Sequence, residues 1–302
     1  MITINSDKGP FKVESWEDLL QRPGFTVNLD PKQHELKSVI GRYIFSDMVK
    51  CGLSNCQTPH ARGYIVVTKN GLETNIGKDC GKKYFALDFD HLAKQFDTDL
   101  AAYENRDLLW SFSFRIEDLE AKISALRAED KGADWVNRNS SALVNPGKLP
   151  LAVTRQINSL VKQKSGKFTR DRVASSHEAE EIEARAGRKL ERPLYVTEFE
   201  GNLRGIESLY PENNLRQLLM VEILDELKAF KGVNIDMLTN SQLVKWKKWA
   251  TSVDVIMDRA IESVEHGRRL LTKENLAQLL EINGFDLHEE RERFEAFLEQ
   301  LG

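Results

Sequence analysis

The sequence predicts a mainly α-helical protein with a small α+β region at its N-terminus. Three observations carry that reading. Strand-like alternation and turn residues concentrate in roughly the first 90 positions. From about residue 87 onward the apolar spacing is mainly helical. The 302 residues are 41% hydrophobic and 30% charged, which is enough apolar material for substantial cores and too much for a disordered chain. The expected organisation is an α+β segment over 1–47, a cysteine module over 48–90 and a helical hairpin over 91–146. A charged linker helix with a C-terminal helical domain follows over 147–302.

Ser15 precedes WEDLLQ and predicts a short helix, capped with Asp18 reaching back as in a capping box. Pro23-Gly24 ends it, and FTVNL at 25–29 alternates like a strand. Pro31 opens an expected helix through about Ile40, and RYIF at 42–45 reads as a further strand. YIVVT at 64–68 and LETNI at 72–76 flank Lys69-Asn70-Gly71, a strong hairpin signal. Gly77 then leads into DCGKKYFAL, a helix start with Asp79 near its cap.

Further on, Leu109, Phe112, Ile116, Leu119, Ile123 and Leu126 follow steps of three and four, a heptad seam. Such a seam suits either a coiled-coil-like helix pair within the chain or a dimer-forming coil. Gly132 and NRNSSALVNPG at 137–147 mark a break. Residues 178–192 predict an exposed charged helix, LYVTEF after Pro193 a strand, and GNL at 201–203 a turn. Apolar stripes return at Leu215, Leu218, Leu219, Ile223 and Leu227. They recur at Val253, Met257, Ala260, Val264 and Leu271, and at Phe294, Phe297, Leu298 and Leu301.

The chemistry concentrates in one stretch. All three cysteines lie between positions 51 and 80, as Cys51-Gly-Leu-Ser-Asn-Cys56-Gln-Thr-Pro-His60 and, past the hairpin, Gly77-Lys-Asp-Cys80. An odd number of cysteines in one short stretch fits a metal better than disulfides. Cys51, Cys56, His60 and Cys80 supply three thiolates and an imidazole, a sufficient set for one structural zinc ion, making this a zinc-bound β-hairpin module. His91, in Asp88-Phe-Asp90-His91, is the alternative fourth ligand. At a helix start, the dipole and Lys78, Lys82 and Lys83 favour the thiolate of Cys80. Four protein ligands leave no open position for catalysis at the metal.

This order of knuckle, hairpin and helix-borne cysteine resembles a treble-clef or zinc-ribbon finger over about residues 48–86. A treble clef draws two ligands from its helix, whereas this sequence offers Cys80 there and His60 from before the hairpin.

The charge pattern bears on partners. The net charge of -4 and pI of about 6.0 exclude a globally basic binder but not a local basic face. One such face is expected from Lys148, Arg155, Lys162, Lys164, Lys167, Arg170 and Arg172, with Phe168 as an aromatic neighbour. Another is expected from Arg62, Lys82 and Lys83 of the cysteine module, with Tyr64 and Tyr84 offering stacking. The resulting expectation is a non-catalytic, zinc-stabilised protein that associates with DNA or RNA. A protein–protein adaptor with a structural zinc and a metal-dependent nuclease using Asp88 or Asp90 are the alternatives. His177 with Glu178, Glu180, Glu181 and Glu183 reads as a solvated helix face, and Trp246 and Trp249 as core anchors. No apolar run long enough to span a membrane occurs, and the cysteine usage predicts a reducing, cytoplasmic setting. A homo-oligomer remains open through the heptad seam.

Overall fold

The N-terminal alternation of apolar residues becomes a five-stranded antiparallel sheet, larger than the hairpin module that the sequence predicts. The computed structural model describes residues 1–6, 9–282 and 288–302. It divides into two units, Met1–Phe112 with Asn234–Lys248, and Ser113–Val233 with Trp249–Gly302.

In the first unit the elements run β1 (Ile2–Ser6), β2 (Gly9–Val13), α1 (Trp16–Leu20), β3 (Leu36–Lys50), β4 (Pro59–Thr68), β5 (Glu73–Ile76) and α2 (Lys78–Ser113). The strand order is β2-β1-β3-β4-β5. Side chains alternate between the two faces of a strand, so β4 places neighbouring Ile65 and Val66 in different cores. Val66, Val39 and Ile76 pack with Phe89, Ala93, Phe96 and Leu100 of α2. Ile65 packs with Ile2, Ile4, Leu19 and Tyr43. Burial on both faces fixes the register, because a one-residue slip would exchange the two sets.

Several local expectations hold. Ser15 caps α1, with its side chain accepting from the Asp18 amide and Asp18 completing the capping box. The β4–β5 hairpin closes through Lys69, Asn70 and Gly71, with the Thr68 amide donating to Leu72 O. Gly71 takes the left-handed conformation, φ 82°, that such a loop requires at its last residue.

Others are corrected. Residues 31–40 form no helix. Asp30 accepts from the Lys32 amide and the Gln33 side chain, a local turn that uses up the Pro31 signal. The chain then enters β3, where β-branched and aromatic Val39, Ile40, Tyr43, Ile44, Phe45 and Val49 suit a pleated surface. That strand also runs across the expected 47/48 boundary. Phe25 and Leu29 make only isolated bridges, to Glu73 and Leu53, instead of a strand.

The heptad seam does not follow one helix. α2 ends at Ser113 and α3 (Ile116–Ala128) begins after exposed Phe114 and Arg115, so no continuous coiled-coil seam forms. Its residues still serve packing, with Leu109 and Phe112 buried in their unit and Ile116, Leu119 and Ile123 in theirs. Leu126 is half-buried.

The second unit continues with α4 (Ala133–Leu143), α5 (Leu151–Gln163), β6 (Lys167–Val173), α6 (Ser176–Ala186) and β7 (Tyr195–Asn202). The break expected at 137–147 is mostly helix. Gly132 stands at the start of α4, which buries Val136 and Leu143. The turn expected at 201–203 is also displaced, because Gly201 pairs with Phe168 within the β6–β7 ribbon. The Leu215–Leu227 stripe lies on a π-helical segment, Gln217–Asp225, followed by α7 (Glu226–Lys231). The five-residue step from Leu218 to Ile223, both buried, suits that wider turn. Then come α8 (Asn240–Leu270), which starts in the first unit, α9 (Lys273–Ala277) and α10 (His288–Glu299). Val253, Ala260, Val264, Phe294, Phe297 and Leu298 are buried as their spacing predicts. Trp246 is buried in the first unit, and Trp249 of the second donates through Nε1 to Glu222 O. Among the described residues, no helix is long and apolar enough to cross a membrane.

Candidate metal centre

The three cysteines meet because three chain reversals converge on one end of the sheet. Cys51 follows the last residue of β3, and Cys56 lies in the loop that leads to β4. The loop is tied by the Cys51 amide to Thr58 O at 3.0 Å and by the Cys56 amide to Leu53 O at 3.2 Å. After the β4–β5 hairpin, Cys80 arrives in the first turn of α2. The three Sγ atoms lie within 4.8 Å of one another, and those of Cys56 and Cys80 are 3.3 Å apart. Ligands about 2.3 Å from a tetrahedral zinc stand about 3.8 Å from one another, so the cluster matches the size of a metal site. Cys51 and Cys80 are buried, and Cys56 is half-buried.

The thiols do not titrate alike. Burial pushes Cys51 up, against hydrogen bonds from the Leu53 and Gly77 amides. Burial, the Cys56 thiol and the charges of Cys51 and Cys56 push Cys80 up to about 12. Burial also opposes ionisation of Cys56, but hydrogen bonds from Thr58 and from the other two thiols outweigh it and bring it to about 7. Ionising all three at this spacing would take a cation between them, and a divalent ion reverses the pKa logic of its ligands.

No histidine stands in that 4.8 Å group among the described residues. His60 lies on β4, opposite Val49 of β3. Its Nδ1 is 2.7 Å from the Tyr43 hydroxyl, and its Nε2 is buried without a hydrogen-bond partner. Burial lowers its pKa, which favours the neutral imidazole that binds metals. The Tyr43 oxygen accepts from Asn75 Nδ2 at 3.4 Å, and Asn75 also donates to Lys50 O at 2.8 Å. His91 is exposed on α2.

Two glycines clear space for this pair of rings. A β-carbon at Gly63 would lie 2.4 Å from the Tyr43 hydroxyl, and one at Gly77 would lie 2.6 Å from Cδ2 of His60. In the sequence Gly77 reads only as a helix lead-in, and Tyr43, Gly63 and Asn75 go unmarked. Their spacing carries no ligand signature, because they join through strand pairing. Only the register of β3 on β4, which sets Tyr43 opposite Gly63, brings them together.

The cations expected to meet phosphates fall in two places. In the first unit, Arg62, Lys82 and Lys83 are exposed. Lys82 pairs with Asp90 at 3.4 Å, and Lys83 lies over the Tyr84 ring at 5.2 Å. Tyr64 is not free to stack, since its hydroxyl donates to Asp97 at 2.7 Å and its ring packs edge-on against Phe89. In the second unit, Arg155 and Lys162 lie on α5, Lys164 follows it, and Lys167, Arg170 and Arg172 lie on β6. Lys164 pairs with Glu212, Arg170 with Glu198 and Glu281, and Arg172 with Glu178 and Glu198. Arg155, Lys162 and Lys167 are exposed and make no ion pair among the described residues. Asp88 and Asp90 form no metal cluster with His91 among the described residues, nor do the glutamates of α6 with His177.

The chain matches no protein-family model, no curated protein and no solved structure. Its class rests on its own geometry: an antiparallel sheet with a three-thiol cluster able to hold a metal ion, and a mainly helical second unit.

Proposed function

We infer that this is a non-catalytic, zinc-stabilised protein that binds nucleic acid. The observation that carries the metal half is the three-thiol cluster, with the buried and unpartnered Nε2 of His60 as the imidazole to complete it. In the tautomer whose Nδ1–H donates to the Tyr43 oxygen, Nε2 keeps a lone pair and lacks only a proton donor or a metal ion to take it. Cys51, Cys56, Cys80 and His60 then form the ligand set, and Tyr43 orients the imidazole as outer-shell partners do. A bound zinc ties the β3–β4 loop to the start of α2 and stabilises the fold without reacting.

The nucleic-acid half is supported by where unspent charge stands. Lys50, Arg62 and Lys78 are on the elements that the cluster ties together and make no ion pair among the described residues. Such cations are free to displace the counterions of a phosphate backbone. The test is a metal analysis of purified protein joined to a mobility-shift series on single- and double-stranded DNA and RNA. Close to one zinc per chain and an affinity that falls steeply with salt are expected. A folded protein that retains no metal removes the first half, and one that binds no nucleic acid at low salt removes the second.

A further inference from the structure

α2, whose backbone leaves helical geometry at Ala86, opens onto a cleft that the sequence does not announce. Its volume is about 630 Å³, and all of its lining belongs to the first unit. That size is within the range of small-molecule sites. The floor is made of small side chains, Ala93 and Ala102 among them, so the groove beside α2 stays open. Lys78, Lys82 and Lys94 line it from the solvent side. Lys82 is engaged by Asp90, whereas exposed Lys78 and Lys94 make no ion pair among the described residues. Two carboxylates face these three lysines: Asp90, paired with Lys82, and Asp97, which accepts from the Tyr64 hydroxyl and lies 4.0 Å from Arg42. The free charge of the cleft is therefore positive.

Asn105 adds a second, independent observation. It lines the cleft, is only 5% exposed as a residue, and its side chain makes no hydrogen bond among the described residues. A side-chain amide that opens onto a cleft with no protein partner is free to pair with what enters it. An amide carries a donor and an acceptor side by side, the pattern that pairs with the edge of a nucleobase. Lysines serve phosphate as point charges.

We propose that this cleft binds a nucleotide, with Lys78 and Lys94 on its phosphate and Asn105 on the edge of its base. The inference builds on the nucleic-acid reading above and names the recognition unit, which enters either free or as one residue of a strand. Lys78 lies two residues before Cys80, so the metal cluster fixes the helix start that presents it.

The experiment titrates the full, zinc-loaded chain with adenosine monophosphate, adenosine and inorganic phosphate by calorimetry, and with a single-stranded oligonucleotide by mobility shift. The monophosphate is expected to bind at least tenfold more tightly than either of its parts. Asn105→Leu should lower that affinity about tenfold and leave phosphate affinity unchanged. Lys78→Ala with Lys94→Ala, both at exposed positions and so safe for folding, should weaken monophosphate and phosphate alike. A monophosphate that binds no better than phosphate, or that is indifferent to the lysine pair, overturns the inference. Oligonucleotide binding that survives in all cleft variants also overturns it while leaving the broader reading intact. Monophosphate binding that the cleft variants abolish, with no oligonucleotide shift at any salt, upholds the cleft and removes the nucleic-acid reading.

Discussion

The cysteine module and the stretch from Lys148 to Arg172 look alike as strings of charge, and in each the fold spends some cations and leaves others free, by different routes. In the module Lys50, Arg62 and Lys78 keep their charge unpaired among the described residues. In the later stretch the fold spends Lys164, Arg170 and Arg172 on glutamates and leaves Arg155, Lys162 and Lys167 unpaired among the described residues, as it spends Lys69 and Lys82 of the module on Glu35 and Asp90. The pairing of β6 with β7 sets Glu198 beside both arginines, and the capping box of α6 holds Glu178 against Arg172. That contact also keeps the Glu178 carboxyl well below its usual range. The acidic run after residue 177, which reads as a separate solvated face, is in part the counter-charge of the basic run before it. A tally of lysines and arginines therefore measures attraction to phosphate only after the pairs made by folding are removed.

The largest test of the contrast removes the metal. If zinc organises the module, Cys80→Ser or exhaustive chelation should destabilise the first unit by on the order of 5 kcal/mol or more, part of the roughly 10–16 kcal/mol that structural zinc contributes in small finger peptides. Calorimetric melting together with zinc content is the measurement. Nucleic-acid affinity carried by the module should fall with it, whereas affinity carried by Lys162 and Lys167 should persist. An unchanged melt after complete metal removal breaks the comparison at its root.

A second test addresses the packing of the other unit. Ile123 is 1% exposed, so Ile123→Asp buries a carboxylate without a partner. A loss of about 4 kcal/mol is expected, at the diagnostic end of single substitutions. Leu126→Asp, at a half-buried position, should cost clearly less. Equal melting temperatures for the two variants would mean that α3 does not bury the seam that its spacing predicts.

What the sequence makes legible follows from how local each signal is. The capping box at Ser15, the Lys69-Asn70-Gly71 hairpin and the placement of Cys80 at a helix start each depend on a few adjacent residues, and all are present. The metal-sized thiol cluster was legible too, because the hairpin returns the chain by a short path. The Pro31 helix failed because proline also opens turns, and Asp30 decided between them. The heptad seam failed as one helix because periodicity does not register the exit of the chain at Phe114 and Arg115. Tyr43, Gly63 and Asn75 were invisible because their roles exist only after β3, β4 and β5 have found their register.

A smaller effect sharpens the metal site itself. Tyr43→Phe removes the hydroxyl at His60 Nδ1 and keeps the buried ring. The cost in stability is expected at about 1–2 kcal/mol. Zinc affinity, measured by competition with a chelator, should fall roughly 10- to 100-fold if His60 is a ligand. His91→Ala should leave it unchanged. The reverse pattern would transfer the fourth position to His91 and make Tyr43 a packing residue only.

The smallest effect bears most directly on the two cationic stretches. Each cation that meets a phosphate releases counterions, so removing one contact flattens the dependence of log affinity on log salt by about 0.7 for a single strand. Lys162 and Lys167 are unpaired, and their joint replacement by Ala should lower the slope by about 1.4 if both touch the strand. Lys164 is close to both in sequence but already holds Glu212 at 2.7 Å. To meet a phosphate it must first give up that carboxylate, so Lys164→Ala should change the slope by much less than either neighbour. Glu212→Gln supplies the converse: it frees Lys164 and should steepen the slope. Binding measured over a range of potassium chloride, with melting as a control for folding, separates the cases. Equal slopes for the Lys162, Lys164 and Lys167 variants would show that the folded ion pairs do not decide which cations are available, and the difference drawn between the two stretches would fall.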